Sequence, residues 1–319
     1  MNINSKIYIA GHRGMVGGSI LRKLNQQGYK NLIYKTRTEL NLLDQNKVNS
    51  FFDEHKPDIV FCAAAIVGGI KASMENQTKF LYENLQIQNN VINAAYENKT
   101  DRFIYFSSSC MYPTNAPQPM KEECILTGKL EPTCEGYAIA KTAGTLLLDY
   151  MFKEKQFNGV TIVPCNLYGP NDSFDPQHSH VLAALVRKFY EAKTENKPSV
   201  SIWGTGNARR ELIHVDDCAD ISIKIAKNYD LNGWINVGCG NDHSIEELAH
   251  LIKNIIKYDG KIVFDKTKPD GALRKCTDIS KLKKLNLKPN ILIEDGILEM
   301  INIYKNLYEN NSNTTKSYN

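Results

Sequence analysis

One stretch near the amino terminus constrains the fold more than any other. Lys6-Ile7-Tyr8-Ile9-Ala10, a nearly unbroken apolar run, leads directly into Gly11-His12-Arg13-Gly14-Met15-Val16-Gly17. The run reads as a buried strand. Glycines at 11, 14 and 17 permit a tight turn and let backbone N–H groups and the start of a helix approach a pyrophosphate. Val16, Ile20 and Leu24 then recur at helical spacing as far as Gly28. Strand, glycine turn and helix in that order open a dinucleotide-binding βαβ unit. A glycine-rich turn without a ligand is the bland alternative. The position after the first strand, and the next strand at Asn31-Leu32-Ile33-Tyr34-Lys35, favour the nucleotide.

The end of that second strand discriminates between cofactors. An NAD site usually places an acidic residue there for the ribose 2′-hydroxyl. Here the residues are Lys35-Thr36-Arg37-Thr38, and the first carboxylate is Glu39. Arg37, with Arg13 of the glycine turn, suits a 2′-phosphate, so NADP is favoured over NAD. Solvated surface arginines are the alternative.

The alternation continues, with a helix over Asn46 to Glu54, a strand at Asp58 to Ala65 and a long helix from about Thr78 to Asn98. A strand at Arg102-Phe103-Ile104-Tyr105-Phe106 ends in Ser107-Ser108-Ser109-Cys110. A further helix and the strand Val160 to Cys165 follow, the latter leading into Asn166-Leu167-Tyr168. This rhythm predicts an α/β fold with a doubly wound parallel sheet of Rossmann type. Ligands in such sheets bind beyond the carboxyl ends of the strands, where the Ser/Cys cluster falls. Past Gly169 the chain changes character. Residues 171–179 are polar, a helix opens near His180, Ser199 to Trp203 reads as a strand, and a capping box starts a helix at Ser244. The expected division is a nucleotide-binding domain of 1–168 plus 211–238, a smaller α/β substrate domain of 169–210 plus 239–308, and a disordered tail of 309–319.

Tyr137 and Lys141, four residues apart on the predicted helix, share one face at about 6 Å between Cβ atoms. An ammonium beside a phenol favours the phenolate and would lower its pKa, making Tyr137 a candidate proton carrier for a carbonyl/alcohol pair. Alone, such a pair is more often plain helix surface. The charges exclude other classes. Thirty-nine basic and 35 acidic residues are spread evenly and leave a net charge of +4, enough only for a mild attraction to a small anion and no sign of nucleic-acid binding. The longest apolar run, Ile59 to Val67, is too short for a membrane span, and the opening residues are expected to carry no signal peptide. Eight cysteines at irregular spacings suit a reducing cytoplasm, and no metal-ligand spacing is present.

With the glycine turn, the Ser/Cys strand end and the Tyr/Lys helix in place, the chain resembles the extended short-chain dehydrogenase/reductase family over about residues 6 to 305. It resembles in particular the branch acting as GDP-4-keto-6-deoxymannose 3,5-epimerase/4-reductase. Further matches are Glu131-Pro132-Thr133, Tyr137-Ala138-Ile139-Ala140-Lys141, Asn166-Leu167-Tyr168-Gly169-Pro170, Ser179-His180-Val181 and Lys268-Pro269-Asp270-Gly271. The resemblance implies NADPH as reductant and a GDP-linked 4-keto-6-deoxy sugar as substrate, with GDP-L-fucose as product. It implies Cys110 and His180 as epimerisation base and acid, and Tyr137 with Lys141 and Ser108 as the reduction set. It further implies cofactor contacts from Gly11, His12, Arg13, Gly14, Met15, Val16 and Gly17, and from Arg37, Asn41, Leu42, Asp44 and Ala64. Phe106, Ser107, Ser108, Ser109, Tyr137, Lys141, Pro164, Asn166, Leu167 and His180 complete that set.

Arg187, two turns after His180, is placed for the GDP diphosphate, and the resemblance implies Trp203, Arg210 and Asp270 as substrate contacts. A homodimer through the helices around 78–98 and 137–155 is also implied. Outside the resemblance, a lone strand-end cysteine is most often a small buried residue and a helix-start histidine a surface group. The chain departs from the family pattern at Cys134, where Asn is common, at Gly136, where Pro is common, at Ser107, where Gly is common, and at 207–209. These positions surround the sugar pocket, and leave open a C4-reductase of a related GDP-4-keto-6-deoxy sugar, such as a heptose. A nucleotide-binding sensor without turnover is a third reading, against which the intact Ser, Tyr and Lys set argues.

Overall fold

A computed structural model describes residues 1–316 other than 177, 178, 229 and 269, with 70, 71 and 311–316 described as backbone only. Strand β1 (Ile7–Ala10) is buried at every position. Ile7 and Ile9 join one apolar cluster and Tyr8 and Ala10 another. Successive side chains of a strand point to opposite faces, so a sheet covered on both sides needs an apolar residue at every step. That is why the opening run does not alternate.

In chain order, α1 (Met15–Gln26), β2 (Leu32–Ile33), α2 (Gln45–His55) and β3 (Ile59–Cys62) follow. Next come α3 (Ile70–Glu75), α4 (Gln77–Glu97), β4 (Arg102–Phe106), α5 (Glu135–Lys155) and β5 (Gly159–Pro164). The chain continues through β6 (Asn166–Tyr168), α6 (Val181–Thr194), β7 (Ser199–Trp203), β8 (Arg209–His214), α7 (Val215–Lys227) and β9 (Gly233–Val237). It ends with β10 (Asp242–Ser244), α8 (Ile245–Ile256), β11 (Lys261–Asp265), β12 (Arg274–Lys275), α9 (Ser280–Lys284) and α10 (Ile293–Lys316).

The main sheet has six strands in the order β2-β1-β3-β4-β5-β9, every neighbouring pair parallel. Strand order reverses between β1 and β3, which opens a crevice at their carboxyl ends. The glycine turn lies in that crevice. Gly11 has φ +85°, and a Cβ there would lie 2.8 Å from backbone atoms of Ala64, just past β3. Only glycine fits.

A second assembly pairs β8 with β10, β12 and β6, and β7 with β11. Its apolar cluster includes Leu185 and Val186 of α6, Leu248 and Ile252 of α8, and Ile297 and Met300 of α10. The expected capping box is present: the Ser244 Oγ accepts from Glu247 N at 3.0 Å, and the Glu247 carboxylate accepts from Ser244 N at 2.7 Å. Some expectations shift. β2 keeps only Leu32–Ile33, and the third strand stops at Cys62 rather than Ala65. β8 is a strand that its opening charges, Arg209-Arg210-Glu211, disguise in the sequence. α10 stays helical to Lys316, past the start of the expected tail, while 317–319 lie outside the described residues.

Candidate active site

α1 is docked hard against the glycine turn. A Cβ at Gly17 would meet the Gly11 carbonyl oxygen at 2.3 Å and its carbon at 2.6 Å. Gly14 is the N-cap of α1 and gives it no side-chain cap. First-turn N–H groups without a side-chain partner suit an anion, as a pyrophosphate requires. The His12 ring packs against Tyr34 at a tilt, with ring centroids 4.8 Å apart. Beyond β2, the Glu39 carboxylate accepts from Thr36 N at 2.7 Å and from Thr36 Oγ1 at 2.6 Å. Those bonds hold its pKa below the usual carboxylate range, and they occupy the first acid that could serve a ribose hydroxyl. Arg37 is exposed, its nearest carboxylate being Glu83 at 3.7 Å. An exposed guanidinium paired only at that distance is accessible to a 2′-phosphate. Asn41, Leu42 and Asp44 shape the loop behind it: Asn41 Oδ1 accepts from Leu43 N, the Leu42 carbonyl from Asn90, and Asp44 caps α2.

The carboxyl end of β4 carries the second group. Ser108 caps a 3₁₀ turn over Ser109–Met111, its Oγ accepting from Cys110 N at 3.2 Å. The same hydroxyl acts on the Tyr137 phenol of α5, opposing the rise that burial gives its pKa. Ser107 is buried behind it, accepting from Thr145 Oγ1 at 3.1 Å. Phe106 ends β4 and Pro164 ends β5 on the same sheet edge, and Asn166 and Leu167 follow on β6.

Lys141 does not lower the Tyr137 pKa as the i,i+4 spacing suggested. Its Nζ donates to the Phe106 carbonyl at 2.7 Å and lies 5.8 Å from the Tyr137 ring centre. Burial dominates instead: it pushes the Tyr137 phenol above its ordinary value and the Lys141 ammonium down to about 8. Tyr137 therefore keeps its proton at neutral pH, the state needed to give one to a ketone oxygen.

Cys110 sits half-buried on the 3₁₀ turn, and exposed His180 is the N-cap of α6. Cys110 and Asp172 both lie within electrostatic reach of His180. Trp203 leads into the Gly204-Thr205-Gly206 turn, Asp270 closes on that turn, and Arg210 lies within electrostatic reach of Asp270. Asp270 accepts from Thr205 N at 2.7 Å and Thr205 Oγ1 at 2.9 Å, while Lys268 Nζ stands 5.7 Å over the exposed Trp203 ring. Arg210 Nη1 donates to the Ala272 carbonyl at 2.6 Å. Pro269 of that motif lies outside the described residues.

Arg187 lies 3.5 Å from Glu191 and lines a cavity of about 360 Å³ with Asp172, Phe174 and Tyr304. The α6 cation that reaches the Trp203 strand is Lys188, whose Nζ donates to the Ser201 carbonyl at 2.9 Å.

A parallel sheet with a glycine turn at its switch point and a Ser108/Tyr137/Lys141 set beside it defines a Rossmann-type, nucleotide-dependent oxidoreductase. The profile of the NAD dependent epimerase/dehydratase family matches residues 7–238, and the chain belongs to that family, within the extended short-chain dehydrogenases/reductases. It is 46% identical to GDP-L-fucose synthase 1 of Arabidopsis thaliana over 94% of this chain and 93% of that one. It is 44% identical to GDP-L-fucose synthase of Escherichia coli K12, over 92% of this chain and 94% of that one. The structure of a GDP-mannoheptose C4 reductase from Campylobacter jejuni with NADP bound superposes with a TM-score of 0.89 at 39% identity, covering 96% of this chain and 99% of that one.

Proposed function

We propose that this chain is an NADPH-dependent 3,5-epimerase/4-reductase that converts GDP-4-keto-6-deoxy-D-mannose to GDP-L-fucose. The observation that carries the reading is the meeting, at one sheet edge, of a reduction set and a separate thiol. Ser108, Tyr137 and Lys141 form the first, and Cys110, two residues from Ser108, the second. The two relatives named GDP-L-fucose synthase, matched over nearly the whole chain, support it.

A 4-keto group acidifies the hydrogens on C3 and C5. Cys110 takes those protons and His180 returns one on the opposite face, inverting each centre. Tyr137 then donates its proton to O4, with Ser108 fixing the phenol. NADPH, when bound, supplies the hydride to C4. The glycine turn and α1 hold its pyrophosphate, Arg13 and Arg37 its 2′-phosphate, and Lys141 its nicotinamide ribose. Asn41, Leu42, Asp44, Ala64 and the Phe106 to Ser109 segment border the same groove, with Pro164, Asn166 and Leu167 beyond. Arg187, Trp203, Arg210 and Asp270 take the GDP-linked sugar.

The second reading, a C4-reductase of a GDP-heptose, draws on the likeness to the Campylobacter reductase. Incubation with GDP-4-keto-6-deoxymannose and NADPH in D₂O decides between them. Deuterium at C3 and C5 of the product supports the epimerase/reductase, reduction with hydrogen retained there supports the reductase alone, and no NADPH consumption refutes both.

The two-part division at 1–168 plus 211–238 and 169–210 plus 239–308 belongs to the same proposal, the second part carrying the sugar contacts. So does a homodimer through α4 and α5. Exposed Ile139 and Tyr150 lie on one face of α5, and Tyr82 is exposed on α4. A monomeric mass in sedimentation contradicts the dimer. Among the described residues no helix is long and apolar enough to cross a membrane. Eight free cysteines support a cytoplasmic site of action.

A further inference from the structure

Helix α5 contains two glycines, Gly136 and Gly144, both buried and set on either side of Tyr137 and Lys141. Each is the seat of a glutamine from α4. A Cβ at Gly136 would stand 2.5 Å from the Gln77 carbonyl oxygen and 3.0 Å from its Oε1. One at Gly144 would stand 2.8 Å from Gln88 Cδ and 2.7 Å from the Tyr105 hydroxyl. Gln77 and Gln88 are eleven residues apart, about three turns of helix, so they share one face of α4. That face meets α5 with a side-chain amide at each end of the Tyr137/Lys141 pair.

Both amides are used twice. Gln77 Oε1 accepts from the N–H of Gly136, the residue before Tyr137, at 2.7 Å, and its Nε2 donates to the Pro132 carbonyl at 2.8 Å. Gln88, only 2% exposed, donates from Nε2 to the carbonyl of Ala140, the residue before Lys141, at 2.8 Å. Its Oε1 accepts from the Tyr105 hydroxyl at 2.5 Å. A carbonyl inside a helix already accepts from the N–H four residues on. The bond to Ala140 is therefore additional to the helix and fixes α5 against α4 at this residue.

The Tyr105 ring that Gln88 holds is the floor beneath Lys141. The Lys141 ammonium stands 4.7 Å over the ring centre and donates to the next carbonyl of β4, that of Phe106, at 2.7 Å. A cation is attracted to an aromatic face, so a ring that turns takes the ammonium with it.

We propose that Gln77 and Gln88 are positioning residues for the reduction, Gln77 setting the Tyr137 phenol through the start of α5 and Gln88 setting the Lys141 ammonium through Tyr105 and Ala140. This rests on the reading of Tyr137 as the proton donor and Lys141 as the contact to the nicotinamide ribose. The two clamps act on different events. Tyr137 gives a proton in the chemical step and Lys141 holds the cofactor, so each clamp has its own kinetic signature. Plain helix packing would lose both functions together or neither.

Gln77→Met and Gln88→Met keep the side-chain length and remove the amides. NADPH affinity is read by fluorescence titration of the full chain, and reduction by NADPH oxidation at saturating NADPH and GDP-4-keto-6-deoxymannose. A thermal melt reads folding. Gln88→Met is expected to raise the NADPH Kd by about 3- to 10-fold, the net worth of one hydrogen bond, with kcat falling less. Gln77→Met is expected to lower kcat by about 10- to 100-fold, as a misplaced reacting group does, with Kd unchanged.

Wild-type Kd and kcat in both variants, or equal losses of the two parameters in either, overturn the proposal. Where a Met variant fails to fold, Gln77→Asn, too short for its clamp, or Tyr105→Phe, which releases only Gln88, takes its place, and wild-type values there overturn the proposal likewise. A wild type that binds NADPH but leaves this sugar unreduced refutes the substrate reading instead. The clamps are then decided on affinity: a loss in Gln88→Met with none in Gln77→Met supports them, and equal losses or none overturn them.

Discussion

Gly17→Ala is the change that most directly connects the fold to cofactor binding. The added Cβ would stand 2.3 Å from the Gly11 carbonyl oxygen, 2.6 Å from its carbon and 2.9 Å from His12 N. Ordinary contact begins near 3.4 Å, so α1 must move by about 1 Å relative to the turn, and none of the obstructing atoms is a side chain that could swing away. Overpacking of this kind costs about 1–3 kcal/mol. The same displacement lengthens the hydrogen bonds that the turn and the first turn of α1 would make to a pyrophosphate. A bond to a charged group is worth about 1.5–3 kcal/mol, so losing one weakens NADPH binding by roughly 10- to 150-fold.

Gly18→Ala is the control. Its closest obstruction, at 2.6 Å, is the end of the Asn171 side chain, with the next at 3.2 Å, and a side chain can rotate aside. NADPH fluorescence titration with a parallel thermal melt separates affinity from stability. Gly17→Ala with wild-type NADPH affinity and melting temperature would refute the docking argument, as would a larger loss at Gly18 than at Gly17.

Three further outcomes follow from the same geometry. Tyr137→Phe is expected to lower ketone reduction by about 10²–10⁴-fold while deuterium uptake at C3 and C5 persists; steady-state NADPH oxidation beside the D₂O exchange reads both, and loss of exchange with reduction contradicts the division of labour. Lys141 has a folded pKa of about 8 against ~10.4 in the unfolded chain. Between those values the unfolded state binds more protons, so stability rises with pH by up to about 3 kcal/mol, and below pH 8 both states are charged and the slope vanishes. Denaturant midpoints from pH 7 to 10 should show that slope in the cofactor-free wild type and lack it in Lys141→Met. Glu211→Ala removes a fully buried carboxylate that accepts from Thr277 N and Oγ1 at 2.7 Å and from Gly240 N at 2.6 Å. Stranding those donors is expected to cost about 3–5 kcal/mol, read as a lower denaturation midpoint, with Glu211→Gln losing less.

What was legible in the sequence divides along a physical line. Runs whose burial is complete on both faces declare themselves: Ile7–Ala10 and Arg102–Phe106 were placed nearly to the residue because each position must be shielded. Glycines that must be glycines are equally plain, as at Gly11 and Gly17. The charged start of β8 hid a strand, because its ladder partners in β6, β10 and β12 lie far away in the chain. Helical spacing could suggest which residues share a face, but not what each face meets. It therefore put Lys141 beside Tyr137 without the Phe106 carbonyl that takes its ammonium.

Cys110 marks the limit most clearly. From sequence it is one thiol at a strand end, with a pKa that local spacing cannot supply. Lys275, whose Nζ lies 4.0 Å from its sulfur, stands 165 residues on, and that spacing repeats no period of helix or strand, so no pattern in the chain announces the contact. A residue's type indicates which reaction it could perform, and the partners folding brings to it decide whether it is charged to do so. At Cys110 the partner that folding supplies is a lysine from the far end of the chain.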